Sequence, residues 1–327
     1  MRLVVTAPDG LPEITPDSDL ASLIADAMTL ADGDIVVVTS KVVSKAEGRV
    51  RPGGREDALA EETRRVVARR GPTTIVRTRL GLTMAAAGID ASNVEAGSIV
   101  LLPLDPDASA RVLRARLHDL TGARVGVIVT DTAGRAWRDG QTDIAVGAAG
   151  LRVAEDYAGR VDAHGNDLVV TLPAVADEIA GAADLVQGKL SGRPVALVRG
   201  RSDLVLPIDD DGAGAVSLIR PEGSDLFGYG AREAVIRALA GHEADRSPFG
   251  APAEVSELVE AVGRVHATGR IGAVPRDAAG QSAYALEISG RPEQAVIAAV
   301  CFAHGWRVAG WDEDEMGVVA QVSAATP

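Results

Sequence analysis

Short runs of β-branched residues alternate with longer amphipathic segments along this chain, and this alternation indicates the α/β class. The predicted strands are Leu3–Ala7, Ile35–Lys41, Thr74–Thr78, Ile99–Pro103, Val125–Thr130, Leu168–Leu172 and Val195–Arg199. The predicted helices are Ser18–Leu30, Arg55–Arg70, Ala108–Leu120, Ala174–Val186 and Arg232–Ala240. We therefore expect an α/β fold with mixed, α+β sheets.

The polar segment Gly241–Glu254 contains two prolines and is predicted to be a linker. A helix, a strand, a helix and a strand are predicted after it, at Val255–Thr268, Tyr284–Ser289, Pro292–His304 and Gly317–Val322. The chain is thus divided into a main domain, residues 1–245, and a small C-terminal α/β domain of unknown role, residues 246–327.

Composition excludes several classes of function. A net charge of -13 argues against nucleic-acid binding, which needs a basic surface. The single cysteine, Cys301, excludes an internal disulfide and a cysteine-rich zinc site. The apolar runs have the length of strands, and the first residues lack the long apolar stretch of a signal peptide. The protein is therefore expected to be cytoplasmic, without a membrane partner.

An acid and a hydroxyl, Asp131 and Thr132, follow the predicted strand Val125–Thr130. The local sequence resembles part of a P-loop GTPase, but the chain has no G-x-x-x-x-G-K-[ST] loop. A phosphatase of the haloacid dehalogenase type would need a second Asp at position 133, which is Ala. The pair suits a hard cation such as Mg²⁺ or Mn²⁺. The alternative is an Asp that caps its own turn.

Asp90 lies in a stretch of small residues with turn character, where an Asx turn is one interpretation and a metal ligand is the other. Lys41 and Lys45 are two of only three lysines in the chain. On a helical turn their spacing would place both ammonium groups on one face, beside Ser40, where they could bind phosphates. The alternative is two solvated side chains.

Arg135, Trp137 and Arg138 lie in a polar segment after Asp131. Guanidinium pairing and aromatic stacking make these three residues candidates for binding an anionic, partly aromatic substrate. The five histidines show no spacing typical of a metal site or a catalytic triad.

Six ordered strings in this chain resemble the coenzyme F420-0:L-glutamate ligase (gamma-glutamyl ligase) family. They are Gly10–Ile14, Asp32–Arg49, Ala87–Val94, Leu102–Ser109, Val129–Arg138 and Val175–Ile179. The resemblance implies that residues 1–245 adopt a two-lobed gamma-glutamyl ligase-like fold and that the protein forms a homodimer. It also implies activation of the carboxylate of coenzyme F420-0 by GTP as an acyl phosphate, then amide formation with L-glutamate and the addition of further gamma-linked glutamates.

The resemblance also implies ligands and the residues that bind them. GTP is the nucleotide substrate, Mg²⁺ or Mn²⁺ is the divalent ion, and K⁺ is a further cation. Some relatives carry a C-terminal flavin domain, but the tail here is too short for one, so no flavin is expected. The implied metal ligands are Asp90, Asp131 and Thr132. The implied GTP contacts are Leu11, Pro12, Glu13, Ile14, Ser40, Lys45 and Asn93, with Lys41 beside them.

A further nucleotide segment matches only in part, near Gln187 and Lys189. Lys189 stands where some members have an acidic metal ligand, so it either alters the second metal site or contacts phosphate. The residues themselves leave two other functions open: a metal-dependent phosphatase or nucleotidase, and a non-catalytic regulator that binds GTP.

Overall fold

The computed structural model describes residues 2–225, 227–267, 270–276, 282–313 and 317–325. The chain divides into two compact units, Met1–Ile219 and Arg220–Pro327. The expected boundary after residue 245 lies inside the second unit. The expected linker is instead an ordered part of that unit: it contains 3-10 turns at Glu243–Asp245 and Ser247–Phe249, and Arg246 and Pro248 are buried. The separate role of residues 246–327 stays a prediction.

The first unit contains both long and short elements. Its strands are β1 (Val4–Thr6), β2 (Ile35–Thr39), β3 (Val50–Pro52), β4 (Thr63–Arg70), β5 (Thr73–Thr78), β6 (Thr83–Ala85), β7 (Ser98–Val100), β8 (Gly126–Arg135), β9 (Arg138–Ala149), β10 (Arg160–Val161), β11 (Asp167–Leu168) and β12 (Val195–Arg199). Its helices are α1 (Leu20–Ala27), α2 (Ser40–Ala46), α3 (Arg55–Glu62), α4 (Pro106–Thr121) and α5 (Val175–Gln187).

The main sheet has the strand order β1-β12-β2-β8-β9. Strands β2 and β8 are parallel, and the other neighbours are antiparallel. Side chains of β2 alternate between two buried faces: Val36 packs in one apolar cluster with Leu117 of α4, and Val37 packs in another with Ile179 of α5. This burial on both faces explains why the central strands are continuously apolar. The prediction of a mixed α/β fold is confirmed.

Two smaller sheets, β3-β7 and β4-β5-β6, enclose a separate apolar cluster that includes Val76 and Ile99. Between β6 and β7 the chain makes a left-handed turn, in which Ala86 has φ 50°, Ala87 has φ 55° and Gly88 has φ 71°. Positive φ is uncommon for alanine, so packing must hold this turn in place, and Ala87 is indeed buried.

The hairpin of β8 and β9 contains a bulge. Val129 pairs with Gly147, whereas Thr130 pairs with Ala145, so β9 has one extra residue at this point. The Ala145 N–H donates to the Asp177 carboxylate of α5 at 2.9 Å. The bulge thereby sets which residues of β9 lie opposite the last residues of β8.

Helix α4 is fixed against β9 by its first turn. The buried Asp107 carboxylate accepts hydrogen bonds from the backbone N–H groups of Ala148 and Ala215, both at 2.7 Å. A Cβ on Gly147 would lie 2.3 Å from the carbonyl oxygen of Pro106, so only glycine allows this approach. Farther along the helix, the buried Arg114 guanidinium donates to five acceptors between residues 206 and 211, among them the Asp211 carboxylate at 2.8 Å.

The second unit has a four-stranded antiparallel sheet in the order β13-β14-β16-β15. These strands are β13 (Ile271–Arg276), β14 (Ala283–Ser289), β15 (Trp306–Glu313) and β16 (Gly317–Ala324), and the helices are α6 (Ala231–Ala240), α7 (Val255–Val265) and α8 (Gln294–Ala303). Its buried cluster includes Leu258 of α7, Ile297 of α8 and Leu286 of β14.

Several predicted elements differ from the structure. The predicted helix Arg55–Arg70 ends at Glu62 and continues as β4, because Thr63 onward pairs with β5. The predicted strand Ile35–Lys41 turns into α2 at Ser40, and the predicted strand Leu168–Leu172 is reduced to the two residues of β11. Strands β3, β6, β9, β10, β13 and β15 were not predicted. Thr268, the predicted end of a helix, lies outside the described residues.

Among the described residues, no helix is both long and apolar enough to cross a membrane.

The close approach of α4 to β9 gives a test of the fold. We expect Gly147→Ala to lower the free energy of unfolding by about 1–3 kcal/mol, the usual cost of overpacking, because the added methyl group meets the backbone of Pro106. Gly134→Ala is the matched control in the same hairpin, where a Cβ has no neighbour within 4 Å. Urea denaturation followed by circular dichroism measures both variants. Equal stability of the two would contradict this account of Gly147.

Candidate active site

A cavity of about 710 Å³ opens in the first unit where β2 and β8 end. Its wall includes the loop from Leu11 to Ile14, helix α2, the turn from Gly88 to Asn93, the segment from Gln187 to Pro194, and residues of β8 and β9 between Thr130 and Asp143. Since β2 and β8 are parallel, their carboxyl ends meet at one edge of the sheet, the usual position of ligand sites in α/β proteins.

Helix α2 brings both lysines of its segment into this cavity. The Lys41 ammonium donates to Asp90 Oδ2 at 2.7 Å and to Ser92 Oγ at 2.8 Å. The Lys45 ammonium donates to the Asn93 carbonyl oxygen at 2.6 Å and forms an ion pair with Glu13. The side chain of Lys45 is only 8% exposed, whereas that of Glu13 is 76% exposed. The interpretation of two solvated lysines is therefore wrong.

Asp90 is held from both sides. Its backbone pairs with Val100 in an isolated bridge, and its carboxylate accepts hydrogen bonds from the Ser92 N–H and the Ser92 hydroxyl, each at 2.8 Å. The Asx-turn interpretation is therefore correct. It is compatible with the interpretation of Asp90 as a metal ligand, because the same carboxylate also lines the cavity.

Strand β8 continues past its apolar part and carries Asp131 and Thr132 to the cavity wall. Asp131 does not cap a turn, since β8 runs on to Arg135. Successive strand residues point to opposite faces, so Asp131 accepts a hydrogen bond from the Ser40 hydroxyl of α2 at 3.0 Å, whereas Thr132 turns toward β9.

The carboxylates of this cavity differ in how easily they ionise. Burial raises the pKa of Asp131 to about 7, and the negative charges of Asp143 and Asp90 act in the same direction. A hydrogen bond from Ser40 acts in the opposite direction and lowers this pKa. Burial also opposes ionisation of Asp90, but hydrogen bonds from Lys41 and Ser92 outweigh it and lower its pKa to about 2. Burial and the charge of Asp143 raise the pKa of Asp184, which Lys189 partly offsets. The end of β8 is thus a site of concentrated negative charge.

Asp143 of β9 lines the cavity, and no role was predicted for it from the sequence. It lies opposite Thr132 in the β8-β9 pairing and is 5% exposed. Its carboxylate accepts hydrogen bonds from the hydroxyls of Thr130 and Thr132, at 2.9 Å and 2.8 Å. The strand prediction stopped at residue 130 and omitted β9, so no sequence signal indicated that Asp143 faces these two threonines.

The structure brings together two of the three predicted sets of residues. The side chains predicted from the resemblance to contact GTP all line the cavity: Leu11, Pro12, Glu13, Ile14, Ser40, Lys41, Lys45 and Asn93. The predicted metal ligands also line it: Asp90, Asp131 and Thr132. Proximity in one cavity is consistent with both assignments, and their roles stay predictions.

The three substrate candidates lie elsewhere, at the turn between β8 and β9. Arg135, Trp137 and Arg138 are not among the side chains that line the cavity. Arg135 donates to the Asp139 carbonyl oxygen at 2.7 Å, and Trp137 is 86% exposed with a positive φ of 59°. The segment that holds them is a hairpin turn instead of the open polar loop that the sequence suggested, because β8 and β9 extend into it.

The segment after α5 contributes Gln187 and Lys189 to the cavity wall. Gln187 is 3% exposed, and neither atom of its side-chain amide has a hydrogen-bond partner among the described residues. Buried polar atoms without partners are uncommon in folded proteins and often mark functional positions.

Within the described ranges, no group of three Asp, Glu, His or Cys side chains is arranged to hold a metal ion. The Asp90 carboxylate faces Lys41, and the Asp143 carboxylate faces two hydroxyls. Any cation at the end of β8 would therefore need ligands from a bound molecule in addition to protein side chains.

The buried side-chain amide of Gln187, which has no hydrogen-bond partner among the described residues, gives a second test. A buried polar group without a partner costs about 1–3 kcal/mol, so Gln187→Met should raise the free energy of unfolding of the ligand-free protein by roughly that amount. Gln141→Met is the control, because Gln141 lines the same cavity but is exposed. Both are measured by urea denaturation. A loss of stability in Gln187→Met would mean that the amide has a structural partner, such as a bound water molecule.

Comparison with known proteins agrees with this part of the chain. A sequence model of the family described as F420-0:Gamma-glutamyl ligase matches residues 10–53 and 55–200. The matched region contains the predicted GTP contacts and metal ligands.

Several curated proteins named coenzyme F420:L-glutamate ligase are similar to this chain. One from Archaeoglobus fulgidus is 43% identical over 221 residues, which cover 61% of this chain and 88% of the relative. One from Methanopyrus kandleri is 40% identical, covering 58% and 83%, and one from Halobacterium salinarum is 41% identical, covering 59% and 85%. The resemblance noted in the sequence is therefore confirmed, and the chain belongs to the F420-0:gamma-glutamyl ligase family.

Proposed function

We propose that this protein is a ligase that joins L-glutamate to coenzyme F420-0 with GTP as the source of energy. The observation that carries the proposal is the convergence in one cavity of two lysines from α2 and an acid–hydroxyl pair from β8. Phosphoryl transfer depends mainly on positioning and on neutralising charge, and these residues supply cations for phosphates and oxygens for a divalent ion. Curated relatives that are 43% and 40% identical are named coenzyme F420:L-glutamate ligase.

Lys41 and Lys45 are the proposed phosphate contacts. Each already pairs with an acid, Asp90 or Glu13, so each ammonium is held in the cavity before any nucleotide binds. A triphosphate would replace the acids as the partner of the ammonium groups. Because the Glu13 side chain is largely exposed, it can leave Lys45 and return to water at low cost.

Asp90, Asp131 and Thr132 would hold the divalent ion, Mg²⁺ or Mn²⁺. The residues fit a hard cation, because their oxygen donors gather where burial and neighbouring acids raise the pKa of Asp131 to about 7. A cation relieves that repulsion, as a proton does in its absence. When bound, the ion would neutralise charge on the transferred phosphoryl group. Phosphate oxygens of the nucleotide would complete the coordination that side chains alone do not provide.

The proposed reaction has two steps. First, an oxygen of the substrate carboxylate attacks the γ-phosphorus of GTP, the bond to the β-phosphate oxygen breaks, and GDP leaves. Second, the glutamate amine attacks the acyl carbon of the acyl phosphate, phosphate leaves, and the amine loses a proton. Lys45 and Lys41 would stabilise negative charge on the phosphates in the first step. Repetition with the new gamma-carboxylate would extend the chain of glutamates.

K⁺ as a further cation and a homodimer, both implied by the resemblance, belong to the same proposal. So does a substrate role for Arg135, Trp137 and Arg138, which rests on the chemistry of their side chains. The absence of a flavin also stays a prediction.

Incubation with coenzyme F420-0, L-glutamate, GTP and Mg²⁺ or Mn²⁺, followed by mass spectrometry, tests the function directly. We expect a mass increase of one glutamate residue, which requires both GTP and the divalent ion. Release of phosphate from nucleotide without glutamate would instead support a phosphatase or nucleotidase. GTP binding without turnover under any condition would support a regulator.

Lys45→Ala tests the proposed phosphate contact. Loss of this buried ammonium should reduce kcat/KM for GTP. The reduction should correspond to a loss of about 2–4 kcal/mol in transition-state stabilisation, the scale for removing one preorganised charge-stabilising donor. Lys189→Ala is the comparison in the same cavity and should reduce it less, since Lys189 is exposed. Steady-state kinetics of both variants decide the order. A larger loss of kcat/KM in Lys189→Ala would show that the main phosphate contact lies in the segment after α5.

A further inference from the structure

Asp143 is a buried carboxylate whose charge has no cationic partner. It is 5% exposed, and within the described ranges no Lys or Arg forms an ion pair with it. Its two oxygens instead accept hydrogen bonds from Thr130, at 2.9 Å, and Thr132, at 2.8 Å. An unpaired buried charge is costly, and a neutral side chain could bond to two hydroxyls at a lower cost. A carboxyl group at this buried position therefore needs a reason beyond packing.

The direction of these hydrogen bonds supplies the reason. An ionised carboxylate only accepts, so both threonine hydroxyls must donate their single hydrogen to Asp143. Only lone pairs of the Thr132 oxygen are then left for any other contact. Thr132 lines the cavity, so any further contact that its hydroxyl makes there must be as an acceptor, which is the role of a metal ligand.

We propose that Asp143 is a positioning residue that orients the Thr132 hydroxyl as a ligand for the divalent ion. The inference rests on the proposed metal dependence, and it concerns a residue that does not itself need to touch the ion. Its location is set by the fold: the bulge in β9 places Asp143 directly opposite Thr132. Groups in such a supporting role commonly change metal affinity about 10–100-fold when they are replaced.

The test measures Mn²⁺ binding by electron paramagnetic resonance, with and without GTP, and needs no turnover. Asp143→Asn keeps the shape of the side chain, but its amide has a single oxygen, so it can accept a hydrogen bond from only one of the two threonine hydroxyls and no longer forces that of Thr132 to donate. We expect Asp143→Asn to weaken Mn²⁺ binding by about 10–100-fold. Asp139→Asn, an exposed acid in the same hairpin, is the control and should bind as the wild type does.

A double-mutant cycle separates orientation from charge. If Asp143 acts through the hydroxyl of Thr132, then Asp143→Asn should add little to the loss already caused by Thr132→Ala. An equal loss with and without Thr132 would show that Asp143 acts through its charge or as a direct ligand, and would overturn the proposal. An unchanged affinity in Asp143→Asn would also overturn it.

Asp143→Glu is the second variant, in case Asp143→Asn does not fold. It keeps the charge but moves the oxygens by one methylene group, so it should weaken Mn²⁺ binding if orientation matters, and unchanged binding would contradict the proposal. Wild-type protein that binds no Mn²⁺ would refute the metal-dependent part of the proposed function as well. A wild type that binds Mn²⁺ without ligase activity would refute only the proposed reaction.

Discussion

The negative charge that the fold holds at the end of β8 is the constraint on which the rest of the candidate site depends. Val127, Ile128 and Val129 are fully buried, and two residues later the same strand presents Asp131. Removing a carboxylate from water is costly unless hydrogen bonds or a cation compensate. Ser40 supplies one hydrogen bond, but Asp143 and Asp90 add repulsion, and the pKa of Asp131 rises to about 7. Among the residues that the structure describes, no lysine or arginine forms an ion pair with Asp131, and under the proposed function a bound cation would offset this cost.

The surrounding structure keeps that charge in place. The bulge in β9 aligns Asp143 with Thr132, and the α5 side chain of Asp177 satisfies the backbone N–H at the bulge. On the other side of the hairpin, Gly147 allows the first turn of α4 to lie against β9, where Asp107 binds the backbone. Hydrogen bonds from several elements thus fix the position of one short stretch of strand. Binding sites on such rigid elements hold their donors more precisely than sites on free loops.

The sequence predicted those parts of the fold and site that depend on local pattern. The β-branched runs gave β2, β8 and β12, and the lysine spacing suggested the helical face that α2 presents. Features that depend on pairing were beyond its reach. Residues 63–70 follow a helical pattern, yet they form β4 because β5 pairs with them. The first half of β9 is polar, so no periodicity revealed a strand, and the opposition of Asp143 and Thr132 could not be derived. Arg135, Trp137 and Arg138 have suitable chemistry, but the hairpin carries them to its turn, away from the cavity lining.

The ion pairs inside the cavity bear on how the proposed ligands would bind. Lys41 pairs with Asp90, and Lys45 pairs with Glu13, so the lysines and two of the acids neutralise one another in the ligand-free protein. Under the proposed function, a divalent ion would replace Lys41 at Asp90, and phosphate oxygens would replace the acids at both ammonium groups. Neither exchange exposes an unpaired charge if both ligands are present. A cation alone would leave the Lys41 ammonium without an anionic partner, and a nucleotide alone would leave the Asp90 carboxylate without a cationic partner. Each ligand therefore removes a cost that the other would incur, and linkage requires the benefit to be reciprocal. Under the proposed function, cooperative binding of nucleotide and cation would follow from the pairing of these four side chains, without any larger movement of the fold.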